Sequence, residues 1–366
     1  MKLEKVPLLV FWESTKACPL LCRHCRANAI LKPLPDELNT KEAKLLINQI
    51  SEFENPKPVF IITGGDPLMR KDLFELIEYA RSLGIAVGLS PAVSENLNEK
   101  VLLKLKNLGV KIISVSLDGA SKETHEYLRQ VNGIYEMTIN AIKMLVDFGF
   151  QVQVNTLIWK GNLNELPYLV KLLLDLNVRI WEVFFLIITG RAGKELDIEI
   201  NEYEDVVQFL VDVSRYSIQI RTVEAPFYRR AKLERLKGKN YSSDLYCKLI
   251  EKLKELLGEP KCELDNRILP TRDGFGVIFV SYNGTIFPSG FLPYPLGNIK
   301  KDHLVKVYQE HPILKKLREA KLNGICGNCI YNKICGGSRA RAYAQYGDLF
   351  ADDPACILTY LKWQIY

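Results

Sequence analysis

Short runs of β-branched and aromatic residues alternate with amphipathic stretches through the first half of the chain, and this alternation restricts the fold more than any other feature. Six runs are predicted strands, at 8–14, 59–63, 85–89, 112–117, 152–158 and 180–188. They are mostly unbroken by charge, as expected for parallel strands covered on both faces. Helices are predicted at 72–82, 96–108, 135–148 and 163–176, and the capping-box pair Asn39 and Glu42 predicts another before them.

Six βα units in a row indicate an α/β fold and are too few to close an eight-stranded barrel. We therefore expect a partial (βα)6 parallel barrel over residues 1–194. Residues 195–270 predict a helical bridging region with one strand near 217–223, and residues 271–366 predict a small α+β domain. That domain would contain a hairpin with Asn283-Gly284 as its tight turn. In parallel barrels the chemistry lies at the C-terminal strand ends and in the loops that follow them.

Composition excludes several classes of protein. The 366 residues are 48% hydrophobic and 25% charged, with a formal net charge of +6. So small a basic surplus does not indicate a nucleic-acid or membrane partner. The longest apolar stretch, around 183–188, is too short to span a bilayer, and no small-residue cleavage site follows the apolar start of the chain. We expect a cytoplasmic protein.

Seven of the nine cysteines fall into two tight groups, which in a cytoplasmic chain indicates metal or redox chemistry more often than disulfides. The first group, Cys18, Cys22 and Cys25, forms a C-x3-C-x2-C pattern on the loop after the first predicted strand. Three thiolates at this spacing suit three irons of a [4Fe-4S] cube and leave the fourth iron open to a ligand. The alternatives are a zinc site completed by His24, or thiols that bind no metal.

Two further segments stand at predicted strand ends. Thr63-Gly64-Gly65-Asp66-Pro67 ends the second strand, where bare glycine backbone allows close approach of a ligand, and SVSLDG lies at the fourth strand. Together with the cysteine pattern, these segments resemble the radical S-adenosylmethionine (SAM) superfamily over residues 8 to about 190. The resemblance implies that the open iron binds SAM. It also implies reductive cleavage of SAM to methionine and a 5′-deoxyadenosyl radical, which removes a hydrogen atom from a substrate.

The resemblance also implies which residues contact SAM. They are Gly64, Gly65 and Asp66 at the methionyl amino group, Ser116, Asp118 and Asn155 as polar contacts, and Arg191 at a carboxylate of SAM or substrate. The last four have ordinary alternatives. Asp118 suits a helix cap, Ser116 and Asn155 suit interior polar positions, and Arg191 suits a surface.

The second cysteine group supplies four thiolates, which suffice to close a cube or to bind a structural zinc: Cys326, Cys329, Cys335 and Cys356. This tail is similar to the SPASM-type extension that carries auxiliary clusters in radical SAM enzymes. Two cysteines of the full pattern are missing, since Ser289 stands after the hairpin proline and Gly336 to Arg339 replace a later ligand. One auxiliary [4Fe-4S] cluster is therefore expected rather than two. Cys247 and Cys262 are interpreted as small buried residues or idle thiols.

The single-cluster spacing resembles enzymes of heme pathways that trim acetate or propionate side chains from sirohaem-derived tetrapyrroles. A carboxylated tetrapyrrole or comparable cofactor precursor is therefore the expected substrate, with an electron donor such as ferredoxin or flavodoxin. The basic stretch 229–239 would meet the carboxylates, although a solvated helix is the simpler interpretation. The alternatives are a SPASM-type peptide maturase, which often has a peptide-clasping domain before the barrel, and a non-catalytic binding protein stapled by zinc. Only about seven residues precede the first predicted strand, which favours a non-peptide substrate.

Overall fold

The computed structural model describes residues 3–269 and 271–363. Its strands are β1 (Leu9–Glu13), β2 (Val59–Thr63), β3 (Val87–Leu89), β4 (Ile112–Ser116), β5 (Gln151–Ile158), β6 (Ile180–Phe185), β7 (Gln219–Val223), β8 (Val277–Val280), β9 (Thr285–Phe287) and β10 (Gly297–Asn298). They form one sheet in the order β10-β9-β8-β1-β2-β3-β4-β5-β6-β7. All six strands predicted in the first half of the chain are present.

Neighbouring strands from β1 to β7 are parallel and follow chain order. The strand predicted near 217–223 is β7, and it extends this series by pairing with β6. At the other edge β8 pairs in parallel with β1, and β9 and β10 follow as antiparallel strands. The sheet does not close, so the predicted partial parallel α/β architecture is confirmed. Its strands come from all three ranges 1–194, 195–270 and 271–366, and the division into those domains stays a prediction.

Helices connect the parallel strands. They are α1 (Thr40–Ser51), α2 (Leu73–Ser82), α3 (Glu99–Asn107), α4 (Lys122–Arg129), α5 (Ile134–Asp147), α6 (Leu166–Asp175), α7 (Ile200–Val213), α8 (Tyr228–Leu236) and α9 (Asp244–Leu257). At the start of α1, Asn39 Oδ1 accepts from Glu42 N and Glu42 Oε2 accepts from Asn39 N, both at 3.0 Å. The predicted capping box is therefore present. Helix α4 was not among the predicted helices.

Alternate residues of each strand face opposite sides of the sheet. On β1, Val10 and Trp12 are fully buried, whereas Leu9 and Phe11 line a cavity of about 590 Å³. The same alternation continues across the sheet, so its inner face surrounds this cavity. On β1 and β2 the side chains of both faces are mostly apolar, which explains why these two strands read as nearly continuous apolar runs.

The inner face is chemically asymmetric. On β8, β1 and β2 the cavity is lined by an apolar half, namely Leu9, Phe11, Val59, Ile61, Val277 and Phe279. On β4 to β7 lies a polar half, which is named for Ser114, Ser116, Gln153, Asn155, Glu182 and Arg221 and which also includes apolar side chains such as Ile112, Phe184 and Val223. The cavity can therefore accept a ligand with one apolar side and one polar side.

The last quarter of the chain starts with the predicted hairpin. Asn283-Gly284 turns between β8 and β9, where Gly284 N donates to Ser281 O at 3.0 Å and Asn283 Oδ1 accepts from Thr285 N at 3.2 Å. Five short helices follow: α10 (Leu304–Glu310), α11 (Pro312–Arg318), α12 (Gly324–Asn328), α13 (Arg339–Tyr346) and α14 (Ile357–Trp363). Within residues 3–269 and 271–363, no helix has the length and apolar character needed to cross a membrane.

Candidate active site

The first cysteine group lies on the loop after β1, and all three of its side chains line the cavity. Backbone amides donate to two of the sulfurs, Leu20 N to Cys18 Sγ and Ala29 N to Cys25 Sγ, each at 3.4 Å. Burial raises the pKa of Cys18 to about 12, and the neighbouring thiols Cys22 and Cys25 add to the rise. Thiolates placed this close together need the positive charge of a metal, so the donor set fits an iron–sulfur cluster.

Arg191 fixes the shape of this loop. Its Nε donates to Cys22 O at 2.9 Å, its Nη1 donates to Ala29 O at 2.8 Å, and its backbone N donates to Cys25 O at 3.1 Å. One residue that follows β6 thus holds three carbonyls of the loop: one before the third cysteine, one of that cysteine and one after it. The predicted contact between Arg191 and a carboxylate of SAM or substrate stays a prediction.

The glycines after β2 allow a close approach of backbone to backbone. Gly65 N donates to Thr15 O at 2.7 Å, and Asp66 N donates to Ala17 O at 2.6 Å. A Cβ on Gly65 would lie 2.2 Å from Ala17 O, and one on Gly64 would lie 2.6 Å from Thr15 O. Gly64 and Gly65 line the cavity, so they combine two tasks: they seat the cysteine loop and leave room for a ligand.

Asp66 is fully buried and accepts hydrogen bonds within the protein. Leu68 N donates to Oδ1 at 3.1 Å, and Ser94 Oγ and Asn96 Nδ2 donate to Oδ2 at 3.3 and 3.4 Å. The carboxylate therefore caps the short 3-10 turn that follows β2. Its predicted contact with the methionyl amino group stays a prediction.

Ser116 and Asn155 line the cavity as adjacent register partners on β4 and β5. Asp118 is buried just beyond β4, where it pairs with Arg129 Nη2 at 2.6 Å and accepts from Leu157 N at 2.9 Å. Burial alone would raise the pKa of Asp118, but the Arg129 guanidinium, together with His24, His125 and the amide of Leu157, lowers the pKa below its ordinary value. The ordinary alternative of a helix cap does not apply, because Ser121 caps α4.

Sequence reasoning missed Arg129. Its Nη1 lies 3.6 Å from Cys22 Sγ and its Nη2 binds Asp118, so it connects the cysteine loop to the end of β4. The residue lies in the last turn of α4, the helix that was not predicted. The N-cap Ser121, whose side chain accepts from Thr124 N at 3.3 Å, was the available signal.

Three cysteines of the second group, Cys326, Cys335 and Cys356, lie near one another. Burial raises the pKa of Cys326, Cys335 and Cys356 to about 12, 11 and 12. The neighbouring thiol of Cys326 raises the pKa of Cys335 further, and that of Cys335 does the same for Cys356. Amides donate to two sulfurs of the group, Asp353 N to Cys326 Sγ and Tyr331 N to Cys329 Sγ, each at 3.4 Å.

This second group stands beside the same cavity, because Gly337 and Ser338, just after Cys335, line it. In the part of the chain that the structure describes, no three or more His, Cys, Asp or Glu side chains are placed so that they could hold a metal ion. The ligands of a [4Fe-4S] cube bind separate irons, so they need not converge on one ion.

An unclosed parallel sheet with three cysteines after its first strand and glycines after its second defines a class of enzyme. The model of the radical SAM superfamily matches residues 12–173. Together with the relatives below, this match shows that the chain belongs to the radical SAM superfamily and is an enzyme. The alternative of a non-catalytic binding protein is therefore wrong.

Two curated relatives carry the same name. A protein of Oleidesulfovibrio alaskensis named AdoMet-dependent heme synthase is 34% identical over 355 residues, covering 95% of this chain and 86% of that protein. A Methanosarcina barkeri protein of that name is 34% identical over 358 residues, covering 97% of each. The predicted resemblance to heme-pathway enzymes is confirmed.

Solved structures share the fold. The crystal structure of Streptococcus suis SuiB bound to precursor peptide SuiA has a TM-score of 0.69 at 16% identity, covering 96% of this chain and 76% of that chain. At this identity the likeness concerns the fold alone.

Proposed function

We propose that this radical SAM enzyme modifies a carboxylated tetrapyrrole, in the manner of heme-pathway enzymes that trim acetate or propionate side chains. The observation that carries the proposal is the 34% identity, over 95% of the chain, to a protein named AdoMet-dependent heme synthase. The two-sided cavity supports it. A macrocycle would pack on the apolar half, and its carboxylates would reach the polar half.

When bound, a [4Fe-4S] cluster and SAM supply a one-electron cleavage that yields methionine and a 5′-deoxyadenosyl radical. In this proposal Cys18, Cys22 and Cys25 hold that cluster, and Arg191 keeps their loop in shape. The proposed contacts with SAM come from residues at the adjacent strand ends, namely Gly64, Gly65, Asp66, Ser116, Asp118, Asn155 and Arg191. Five of these seven residues line the cavity with the cysteines, namely Gly64, Gly65, Ser116, Asp118 and Asn155.

We further propose a second [4Fe-4S] cluster on the second cysteine group. The four thiols are free, and Gly337 and Ser338 join their surroundings to the wall of the cavity. An auxiliary cluster there would lie beside the substrate. Zinc is the other ion that four cysteines bind, and metal analysis separates the two. The proposed electron donor is a ferredoxin or flavodoxin, and the proposed location is the cytoplasm, where clustered thiols stay reduced.

The basic stretch 229–239 contributes little to the cavity. Arg229 lines it, whereas Arg230 pairs with Glu204 and Arg235 pairs with Asp212. Two of the four basic side chains of α8 are therefore neutralised by α7, and in this proposal recognition of carboxylates comes mainly from the strands.

The first test is metal analysis of anaerobically purified protein. Two cubes would give about eight irons and eight sulfides per chain, and about four irons with one zinc would assign the tail to zinc. The protein is then incubated with SAM, a low-potential reductant and sirohaem-derived tetrapyrroles. We expect formation of 5′-deoxyadenosine together with a tetrapyrrole whose mass has fallen by all or part of an acetate or propionate side chain.

The matched control is the triple variant of Cys18, Cys22 and Cys25 to alanine, which should form neither product. Production of 5′-deoxyadenosine by that variant would refute the catalytic assignment. Conversion of a peptide but of no tetrapyrrole would refute the substrate class and favour the peptide maturase.

A further inference from the structure

The polar half of the cavity contains a row of side chains at one level of the sheet. Ser116 on β4 is the register partner of Asn155 on β5, Asn155 is the partner of Glu182 on β6, and Glu182 is the partner of Arg221 on β7. All four line the cavity. The first two are the proposed SAM contacts, so Glu182 and Arg221 continue the row beyond SAM, toward the space left for the substrate.

Five arginines line the cavity, and four of them are already engaged by the protein. Arg26 Nη2 binds Glu13 Oε1 at 3.2 Å, and Arg129 pairs with Asp118. Both are therefore neutralised by a neighbouring acid.

Arg229 and Arg272 are engaged by backbone. Arg229 donates to the carbonyls of Ile334 and Thr271, and Arg272 donates to those of Lys333 and Arg318. Each guanidinium group therefore holds one carbonyl just before Cys335 and one carbonyl from another segment of the chain.

Arg221 differs from these four. Its Nη1 donates to Gln153 Oε1 at 2.9 Å, and among the described residues its Nε and Nη2 have no acceptor. Neither nitrogen is among the side-chain atoms that are buried without a partner, and Arg221 lines the cavity. A guanidinium with two free donor atoms on one side is suited to a carboxylate, which accepts two parallel hydrogen bonds.

The protonation state of Glu182 determines how far the positive charge of Arg221 is neutralised before a ligand binds. Gln153 Nε2 donates to Glu182 Oε2 at 2.9 Å, which leaves Oε1 without a protein donor among the described residues. Burial raises the pKa of Glu182 to about 7, although Arg221 and Gln153 oppose the rise. The groups that face it are the Arg221 cation on β7 and the neutral amides of Gln153 and Asn155 on β5. Near neutral pH a fraction of Glu182 is therefore an uncharged acid that can itself donate a hydrogen bond.

We propose that Arg221 is the carboxylate anchor of the cavity, with Glu182 as the adjoining group that sets its strength. One carboxylate side chain of the tetrapyrrole binds the free N–H groups of Arg221, while the macrocycle extends toward the apolar half. This assignment rests on the proposed function and specifies which residue holds the substrate.

The test is an anaerobic titration of the reconstituted enzyme with a carboxylated sirohaem-derived tetrapyrrole, followed by its absorbance. Replacing Arg221 by Gln should weaken binding at least about tenfold, or about 1.4 kcal/mol. The R221K variant, which keeps the charge and loses the planar fork, should lie between R221Q and the wild type. Above pH 7, the E182Q variant should bind more tightly than the wild type, because it removes a negative charge beside Arg221.

Two controls make the result specific. The K171Q variant removes one positive charge from the exposed outer face of α6, where Lys171 pairs with Asp175, and should bind as the wild type does. The fully esterified tetrapyrrole has no carboxylate, so R221Q and the wild type should bind it equally.

The outcomes separate the two proposals. If the wild type binds the tetrapyrrole and R221Q and R221K bind it within about twofold of the wild type, the anchor is wrong and the proposed function stands. Equal losses for the carboxylate and the ester would likewise overturn the anchor, because they would show a disturbed cavity. A wild type that binds no tetrapyrrole would overturn both.

Discussion

The contact between the GGDP segment and the cysteine loop makes a sharp prediction for Gly65. Replacing it by alanine places a methyl group 2.2 Å from Ala17 O, about 1.2 Å inside an ordinary van der Waals contact. The obstacle is backbone, so no side-chain rotation relieves it. The loop that begins at Thr15 must move away from β2, and Cys18 must move with it.

The magnitude follows from two hydrogen bonds. Those from Gly65 N to Thr15 O at 2.7 Å and from Asp66 N to Ala17 O at 2.6 Å do not survive such a displacement. At about 0.5 to 1.5 kcal/mol each, their loss lowers the free energy of unfolding by about 1 to 3 kcal/mol. The larger effect should be on the iron content, because three thiolates must keep their mutual geometry to hold one cluster.

The assay is iron and sulfide content after anaerobic reconstitution, measured beside urea unfolding. We expect G65A to lose the iron of the first cysteine group and to keep that of the second.

The matched control is G149A. Gly149 has φ 78° and nothing within 4 Å of an added Cβ, so alanine there costs about 1 to 2 kcal/mol of left-handed strain without a clash. It should lose stability and keep its iron. Full iron occupancy in G65A, or equal iron loss in both variants, would refute the reasoning.

Three further predictions follow from single contacts. Replacing Asn39 by Ala removes the capping box of α1 and should lower the free energy of unfolding by about 1 kcal/mol in urea titrations without changing the iron content, whereas an unchanged midpoint would contradict the cap. Replacing Arg129 by Gln leaves Asp118 buried without its cation and should lower the free energy of unfolding by about 3 to 5 kcal/mol in thermal unfolding. A change close to zero would mean that the ion pair is dispensable. Because folded Glu182 holds its proton more tightly than its ordinary pKa of 4.5 allows, wild-type stability should fall as pH rises from about 4.5 to about 7. As the pH rises to about 7 and above, the free energy of unfolding of E182Q should therefore increase relative to that of the wild type by at most about 3 kcal/mol. A difference in urea unfolding that does not change with pH would contradict this.

Local patterns predicted much of the fold. Asn39 and Glu42 are three residues apart, and their reciprocal hydrogen bonds depend on nothing outside that turn. The Asn283-Gly284 turn and the six strands were likewise readable, because side-chain alternation and turn chemistry are properties of adjacent residues. Helix α4 was missed, since its eight residues are strongly polar and only two of them, His125 and Leu128, are buried.

The candidate site was only partly readable for the same reason. The cysteine spacing and the GGDP segment are compact signals, and they predicted which residues would hold the cluster and SAM. Arg129 and Glu182 carry no such signal. Their importance comes from neighbours on other strands and loops.

The sequence by itself determined the order of the βα units and the clustering of the cysteines, because both are set by residues close together in the chain. Only the tertiary structure decided which side chains share the cavity. Strand register aligned Asn155, Glu182 and Arg221 in one row, and long-range contacts left Arg221 with free donors while Arg191 was directed to the cysteine loop. Pairing between distant strands leaves no local periodicity, so a polar residue on the inner face reads like any other until its partners are known.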